Sequence, residues 1–535
     1  MTLLSIDALS LHIRGGRILD DVSLAVDAGE VLGIAGESGS GKTMTALAVA
    51  GLLPADTEMS GDIRFDGSSL IAASEADYCR IRGRDIGIVF QEPMTALNPL
   101  MTIGEQVAEP ARIHRGLSRR EAMRLARETL ERVGLPVDRF ALDRYPHSLS
   151  GGQRQRVAIA MAVLLGPRLL IADEPTTALD VTTQAGILEL LGRLVREEGM
   201  ATIFVTHDLA VLSGMADRVA VMQAGRVVEQ GTADDIFGDP QHDYTRKLIE
   251  NTTLARRRRG RHVAATEPVL AASHLVRRYP AGGGLVRRRE SVTAVDDVSL
   301  SVFEKEVVGL VGESGCGKST LLRTLLGLDA AQGGEVRVFG QPFPAPDRQA
   351  MRRLRQRIQV VFQDPYATFD PRWRVRDLVA ENFHLLDQPL TPGESRKRVE
   401  QILDQVGLAA ADAAKFPHEF SGGQRQRIAI ARALITEPAI IALDEAVSAL
   451  DVTIRAQILD LLSDLSDRLG VAFLFVSHDL SVIRAIADRV LVMKAGRIIE
   501  SGPTEELFGN PKEPYTRRLL DAVPVFEQAG QAAST

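Results

Sequence analysis

The sequence predicts an α/β fold built twice along one chain. Three observations carry that expectation. Short apolar runs ending in glycine or acidic residues alternate with helical stretches, a glycine-rich loop joins the first such run to a helix, and both features return about 270 residues later.

In the first copy, EVLGIAG (30–36) reads as a buried strand feeding a glycine loop and then the helical run TMTALAVAGLL. RLLIADE (168–174) and ATIFVTHD (201–208) are further apolar strands, and strands alternating with helices imply a parallel sheet whose ligands gather at the strand ends. The repeat is long. LSGGQRQRVAIAMAVLLGPRLLIADEPTTALD (149–180) returns as FSGGQRQRIAIARALITEPAIIALDEAVSALD (420–451). GESGSGKT (36–43) returns as GESGCGKS (312–319), an offset of 312 − 36 = 276, and the acidic strand ends differ by 444 − 173 = 271. A unit of that size is a whole domain rather than a solenoid repeat. The division falls into domains at 1–255 and 269–535 around a linker, 256–268, where Arg256 to Arg259 run together before Pro268. AGGGLVRRRES (281–291) reads as a flexible hairpin loop.

Composition excludes several classes. With 535 residues, 45% hydrophobic and 25% charged, the chain is too apolar for disorder. No apolar run approaches the roughly 18 to 20 residues of a spanning helix, and Asp7, His12 and Arg14 interrupt the place of a signal-peptide core. A cytosolic, reducing location is therefore expected, and Cys79 and Cys316 lie too far apart for CxxC chemistry. A formal charge of −7 gives no reason to expect a nucleic-acid partner.

The loop fits G-x-x-x-x-G-K-[ST] in the required strand-to-helix context. Gly36, Gly39 and Gly41 let backbone N–H groups curl around phosphate oxygens, Lys42 reaches the β and γ phosphates, and Thr43 offers Mg²⁺ a hydroxyl. Gly312, Gly315, Gly317, Lys318 and Ser319 repeat the set. Asp173 and Asp444 supply a carboxylate for Mg²⁺, and the adjacent Glu174 and Glu445 orient or deprotonate water.

These motifs, with Gln91 in VFQEP, Gln363 in VFQDP, Ala178-Leu179-Asp180, Ala449-Leu450-Asp451, and His207 and His478 in THD and SHD, resemble the full series of an ATP-binding cassette ATPase. The resemblance implies a RecA-like parallel-sheet core with a helical signature subdomain in each copy. It implies that cassettes face each other head to tail, with ATP between the phosphate loop of one and the signature loop of the other. By resemblance, Gly36, Ser38, Gly39, Gly41, Lys42, Thr43, Gln91, Asp173, Glu174 and His207 work with Ser421, Gly423 and Gln424. Gly312, Ser314, Gly315, Gly317, Lys318, Ser319, Thr320, Gln363, Asp444, Glu445 and His478 work with Ser150, Gly152 and Gln153. Gln91 and Gln363 also join the Mg²⁺ sets. Tyr279 fits the aromatic on which the family stacks adenine, while the first copy offers only His12 or Ile13.

Soluble two-cassette translation factors carry a long charged helical linker, and DNA-repair or chromosome ATPases carry coiled-coil or zinc insertions; neither device is visible here. FQEPMTALNP, FQDPYATFDP and the tails HDYTRKLI (242–249) and EPYTRRLL (513–520) resemble the oligopeptide, dipeptide and nickel uptake family, whose fused members include glutathione and microcin-type peptide importers. That resemblance implies a motor at the cytoplasmic face of a bacterial inner membrane. Two permease subunits would dock on the segments after Gln91 and Gln363, to about Thr102 and Arg376, with Pro93, Pro99, Pro365 and Pro371 stiffening them. An external solute-binding protein would act indirectly, and short peptides are the expected cargo, with nickel chelates or glutathione as alternatives and a soluble two-cassette translation factor as the alternative of a different class. Residues 209–311 contain no cysteine, so the iron–sulfur cluster of some relatives is not expected. Ala446 stands where Pro175 follows the catalytic Glu, a change expected to be harmless.

Overall fold

The computed structural model describes residues 1–177, 179–252, 267–280, 291–448, 450–524 and 526. The chain divides into two compact units, the first carrying Met1–Leu179 and Thr183–Thr253 and the second Leu254–Val523. Most of the expected linker, residues 281–290 of the expected hairpin loop at 281–291, Ala178 and Ala449 lie outside the described residues.

In the first unit a six-stranded sheet runs Arg226–Thr232, Arg218–Gln223, Val31–Ala35, Ala201–Val205, Leu169–Asp173, Ile86–Val89. All neighbours are parallel except the outermost Arg226–Thr232 strand. The five residues of Leu169–Asp173 are all buried, as befits a strand covered on both faces. Leu169 and Ile171 join one core; Leu170 and Ala172 join the other, which packs the helices Ile103–Arg115, Arg119–Arg132 and Gly151–Val163. The second unit repeats the plan with strands Val307–Val311, Ile440–Asp444 and Ala472–Val476 at its centre.

Each unit also carries a separate four-stranded antiparallel sheet that the sequence pattern does not announce. In the first it orders Gly16–Asp27, Thr2–Ile13, Thr57–Phe65, Ser68–Ser69. Irregularities in the Thr2–Ile13 pairing break the alternation that marks a strand, which is why this element reads poorly from residues alone. Its inward side chains Leu4, Ile6, Leu9 and Leu11 share a core with Leu32 and Ile34, fixing it over the strand that feeds the glycine loop.

Candidate functional site

Val31–Ala35 ends in the loop Gly36–Gly41, and the helix Lys42–Ala50 starts immediately after. Two glycines are obligatory. A Cβ on Gly36 would sit 2.3 Å from Met222 O, and one on Gly41 would sit 2.4 Å from Leu19 Cδ2, at φ of +148° and +104°. Gly312 and Gly317 meet Met493 O and Ala294 O at 2.2 and 2.1 Å. Ser38, Gly39, Ser314 and Gly315 form the exposed loop tips, where a phosphate can approach. Lys42 is buried and its Nζ donates to Gly36 O and Glu37 O, both at 2.8 Å; Lys318 Nζ donates to Gly312 O and Glu313 O at 2.7 and 2.9 Å. Each ammonium is thereby centred inside its own loop. Thr320 opens the next turn of the second helix, its carbonyl accepting from Thr324 Oγ1 at 2.8 Å.

At the end of Leu169–Asp173, Asp173 Oδ1 accepts from Thr43 Oγ1 at 3.2 Å. Burial pushes this carboxyl up to about 6, against the Thr43 hydrogen bond that pulls it down. Burial raises Asp444 as well, and its Oδ1 is buried without a hydrogen-bond partner. A desolvated carboxylate of this kind, beside a hydroxyl and an ammonium, suits a hard divalent cation. Among the described residues no cluster of three His, Cys, Asp or Glu could hold a metal alone. Mg²⁺ typically takes one or two carboxylates with water and substrate phosphates, so the donor set fits. Thr43 with Asp173, and Ser319 with Asp444, would hold the ion, which supplies charge neutralisation at the phosphates.

Glu174 follows at φ +45° and Glu445 at φ +48°, a left-handed turn rare for a residue with a side chain. That turn throws the carboxylate off the strand end into a ring of donors. Gln91 Nε2 donates to Glu174 Oε2 at 3.0 Å, Thr177 Oγ1 to the same oxygen at 2.9 Å, and His207 Nδ1 lies 3.1 Å from Oε1. The second unit has Gln363 Nε2 at 3.0 Å and His478 Nδ1 at 3.2 Å from Glu445. Ser448, at the place of Thr177, instead bonds the backbone carbonyl of Glu445. Burial would raise both glutamates, but the hydrogen bond and charge of His207 or His478, with the nearby lysine, hold them below the ordinary carboxylate range. An ionised carboxylate next to a phosphate loop can orient water for in-line attack. Gln91 and Gln363, expected beside Mg²⁺, direct their amides at the neighbouring glutamates.

Ser150 and Ser421 cap the signature helices Gly151–Val163 and Gly422–Leu434. Each serine Oγ accepts from the backbone of Gln153 or Gln424, whose side chain accepts the serine N–H at 3.0 Å in return. The cap takes the Gln153 and Gln424 N–H groups, and the two glycine N–H groups of each first turn lie at the helix end, where an anion would sit. Sequence reasoning missed why the second glycine is there. A Cβ on Gly152 would meet Thr183 Cγ2 at 2.2 Å, and one on Gly423 would meet Ile454 Cγ2 at 2.3 Å. Those glycines admit the neighbouring helix.

Tyr279 has Arg277 over its ring at 4.6 Å and donates its hydroxyl to Asp329 Oδ2 at 3.0 Å. The pairing Leu4 opposite Val26 corresponds to Leu270 opposite Val302, an offset of 270 − 4 = 266 on the first strand. On that register Tyr279 matches residue 279 − 266 = 13, so Ile13 rather than His12 occupies its place.

A profile described as ABC transporter matches residues 19–177 and 295–448, more than half of the chain and once in each unit. The chain belongs to the ABC transporter family. A second profile, described as the oligopeptide/dipeptide transporter C-terminal region, matches 228–275 and 499–534 of this ABC protein. The peptidoglycan transport ATP-binding protein YejF of Agrobacterium fabrum is 46% identical over 97% of this chain and 96% of its own. The glutathione import ATP-binding protein GsiA of Escherichia coli O157:H7 is 46% identical over 96% of this chain and 87% of its own. Among solved structures, cbiO1 from Clostridium perfringens, part of the ABC transporter complex cbiONQ, is 28% identical and covers 45% of this chain and 91% of that one at a TM-score of 0.40. The two units are ABC ATPase cassettes, and their chemistry is hydrolysis of ATP.

Proposed function

We propose that this ABC ATPase is the fused motor of an importer that takes up short peptides, with ATP bound and hydrolysed with Mg²⁺ at two composite sites. The observation that carries the cargo class is the doubled match to the oligopeptide/dipeptide transporter C-terminal region, once behind each cassette. The relatives point the same way. Glutathione is a tripeptide, and peptidoglycan fragments carry short peptides; import of glutathione itself is the second reading, favoured by the GsiA likeness.

In this reading the domains are 1–255 and 269–535 with 256–268 between them. The loop of Lys42 works with Ser421, Gly423 and Gln424, and that of Lys318 with Ser150, Gly152 and Gln153. No helix among the described residues is long and apolar enough to cross a membrane, so transport requires permease subunits. Their docking places are the segments after Gln91 and Gln363. Leu100 is 84% and Trp373 42% exposed there, apolar surface that a docked partner would cover. A groove of about 380 Å³ bounded by Arg372, Trp373, Arg374 and Phe416 supports the second of these docks. The motor then lies peripherally on the cytoplasmic face of the inner membrane, with an external binding protein delivering solute; no nucleic acid and no iron–sulfur cluster take part.

The test is deletion of the chain in its native cell, followed by accumulation of labelled di- to hexapeptides, glutathione and nickel. Loss of peptide uptake is expected. Unchanged peptide uptake with loss of another solute would refute the cargo while sparing the motor, and intact uptake of everything with a ribosome defect would refute the importer.

A further inference from the structure

Behind each cassette, a tyrosine in the C-terminal helix reaches the phosphate loop. Tyr244, in Asp243–Thr252, accepts a hydrogen bond from the backbone N–H of Glu37 at 3.1 Å, and Tyr515, in Pro514–Asp521, accepts one from Glu313 N–H at 3.1 Å. The residues are 207 and 202 positions apart in sequence, so this is a tertiary contact made twice.

The bonded N–H belongs to the same peptide group as a carbonyl that receives the loop lysine. Gly36 O accepts from Lys42 Nζ at one end of the Gly36–Glu37 peptide, and Glu37 N–H reaches Tyr244 at the other; Gly312 O, Lys318, Glu313 N–H and Tyr515 repeat the arrangement. A planar peptide held at both ends cannot rotate. Its plane fixes the acceptor on which the ammonium rests, and so the place from which the lysine meets the phosphates. Both tyrosines are buried.

The helix is itself anchored. Glu229 accepts the N–H groups of Gln241 and His242 at 2.7 and 3.1 Å, and Glu500 accepts those of Lys512 and Glu513 at 2.8 and 3.2 Å. Both carboxylates sit on the outermost sheet strand, separated in sequence from the tyrosine helix by one short helix, Ala233–Gly238 or Thr504–Gly509.

We propose that Tyr244 and Tyr515 are positioning residues for nucleotide binding, through which the transporter-specific C-terminal region sets the geometry of each phosphate loop. The proposal rests on the phosphate-loop reading of Lys42 and Lys318. Removing the hydroxyl leaves a loop N–H without its partner and frees the peptide plane, while the phenyl ring keeps the helix packed.

The test uses the full chain with Tyr244→Phe and Tyr515→Phe combined, titrated with Mg-ATP and assayed for turnover, beside thermal unfolding without nucleotide. The expected result is a Kd and KM for Mg-ATP raised roughly tenfold, the order of one buried hydrogen bond. Turnover at saturation stays within about twofold and the unfolding midpoint within a few degrees. Unchanged affinity overturns the proposal, and so does a lost midpoint with KM unmoved, which marks a purely structural tyrosine. Should Lys42→Ala with Lys318→Ala bind Mg-ATP as tightly as the unaltered chain, the phosphate-loop reading falls first and the proposal with it.

Discussion

Nδ1 of His207 lies 3.1 Å from Oε1 of Glu174, and the contact holds that carboxylate ionised at a buried strand end. The same pair recurs as His478 and Glu445 at 3.2 Å.

Replacing Glu174 and Glu445 together by Gln keeps the size of both side chains and removes the charge proposed to orient water. Steady-state phosphate release should fall by about 10² to 10⁴. Nucleotide binding should survive. Full activity in the double variant would remove both glutamates from the mechanism.

Asp173 is raised to about 6 by burial, so between about 4 and 6 the folded chain holds a proton that the unfolded chain has released. Its charge therefore weighs against the Mg²⁺-free fold above pH 6, and that weight fades as pH falls through 6 toward 4. Asp173→Asn should stabilise the chain without Mg²⁺ at pH 8 by roughly 1 to 3 kcal/mol, with the advantage shrinking by pH 4. Unfolding midpoints of the two proteins across that range are the measurement. A constant difference at all pH values would contradict the assignment.

Gly151 and Gly152 look equivalent in sequence but differ in space. A Cβ on Gly151 comes no nearer than 3.5 Å to Leu179 Cδ2, an ordinary contact, whereas one on Gly152 meets Thr183 Cγ2 at 2.2 Å. Gly152→Ala should cost roughly 1 to 3 kcal/mol of stability, as overpacking does. Adding Thr183→Ser, which deletes the offending methyl, should return most of it; equal effects of the two glycine variants in thermal unfolding would rule the clash out.

Ile13 in the register place of Tyr279 makes the two nucleotide sites unequal if the ring stacks on adenine. Base stacking is worth roughly 1 to 3 kcal/mol, so the Lys42→Ala variant, which keeps the second loop, should bind nucleotide about tenfold more tightly than Lys318→Ala. Tyr279→Ile should erase the gap. Indistinguishable titrations would show that Tyr279 serves only Asp329 and Arg277.

The parallel core and the phosphate loops were legible because each depends on a short contiguous string, such as VLGIA before Gly36 or IIALD before Glu445. What stayed hidden depends on distance. Nothing near Glu37 announces Tyr244, and the PYT-like tails read only as a family mark until their hydroxyls are located. Nor does the string HIRGGR reveal that Ile13 stands in the place of Tyr279, because the match is set by cross-strand pairing, Ile13 opposite Gly16 and Tyr279 opposite Val292, and not by any local likeness of the two strings. The second signature glycine had the opposite fate: its identity was plain, and half of its reason lay in a helix that begins some thirty residues later.

The left-handed backbone at Glu174 and Glu445 carries a cost of roughly 1 to 2 kcal/mol that glycine would not incur. Both positions also bury a carboxylate. A laboratory selection that rewarded heat resistance alone would therefore drift toward glycine at these two positions, and its winners would be the hardiest chains and the least able to turn over nucleotide.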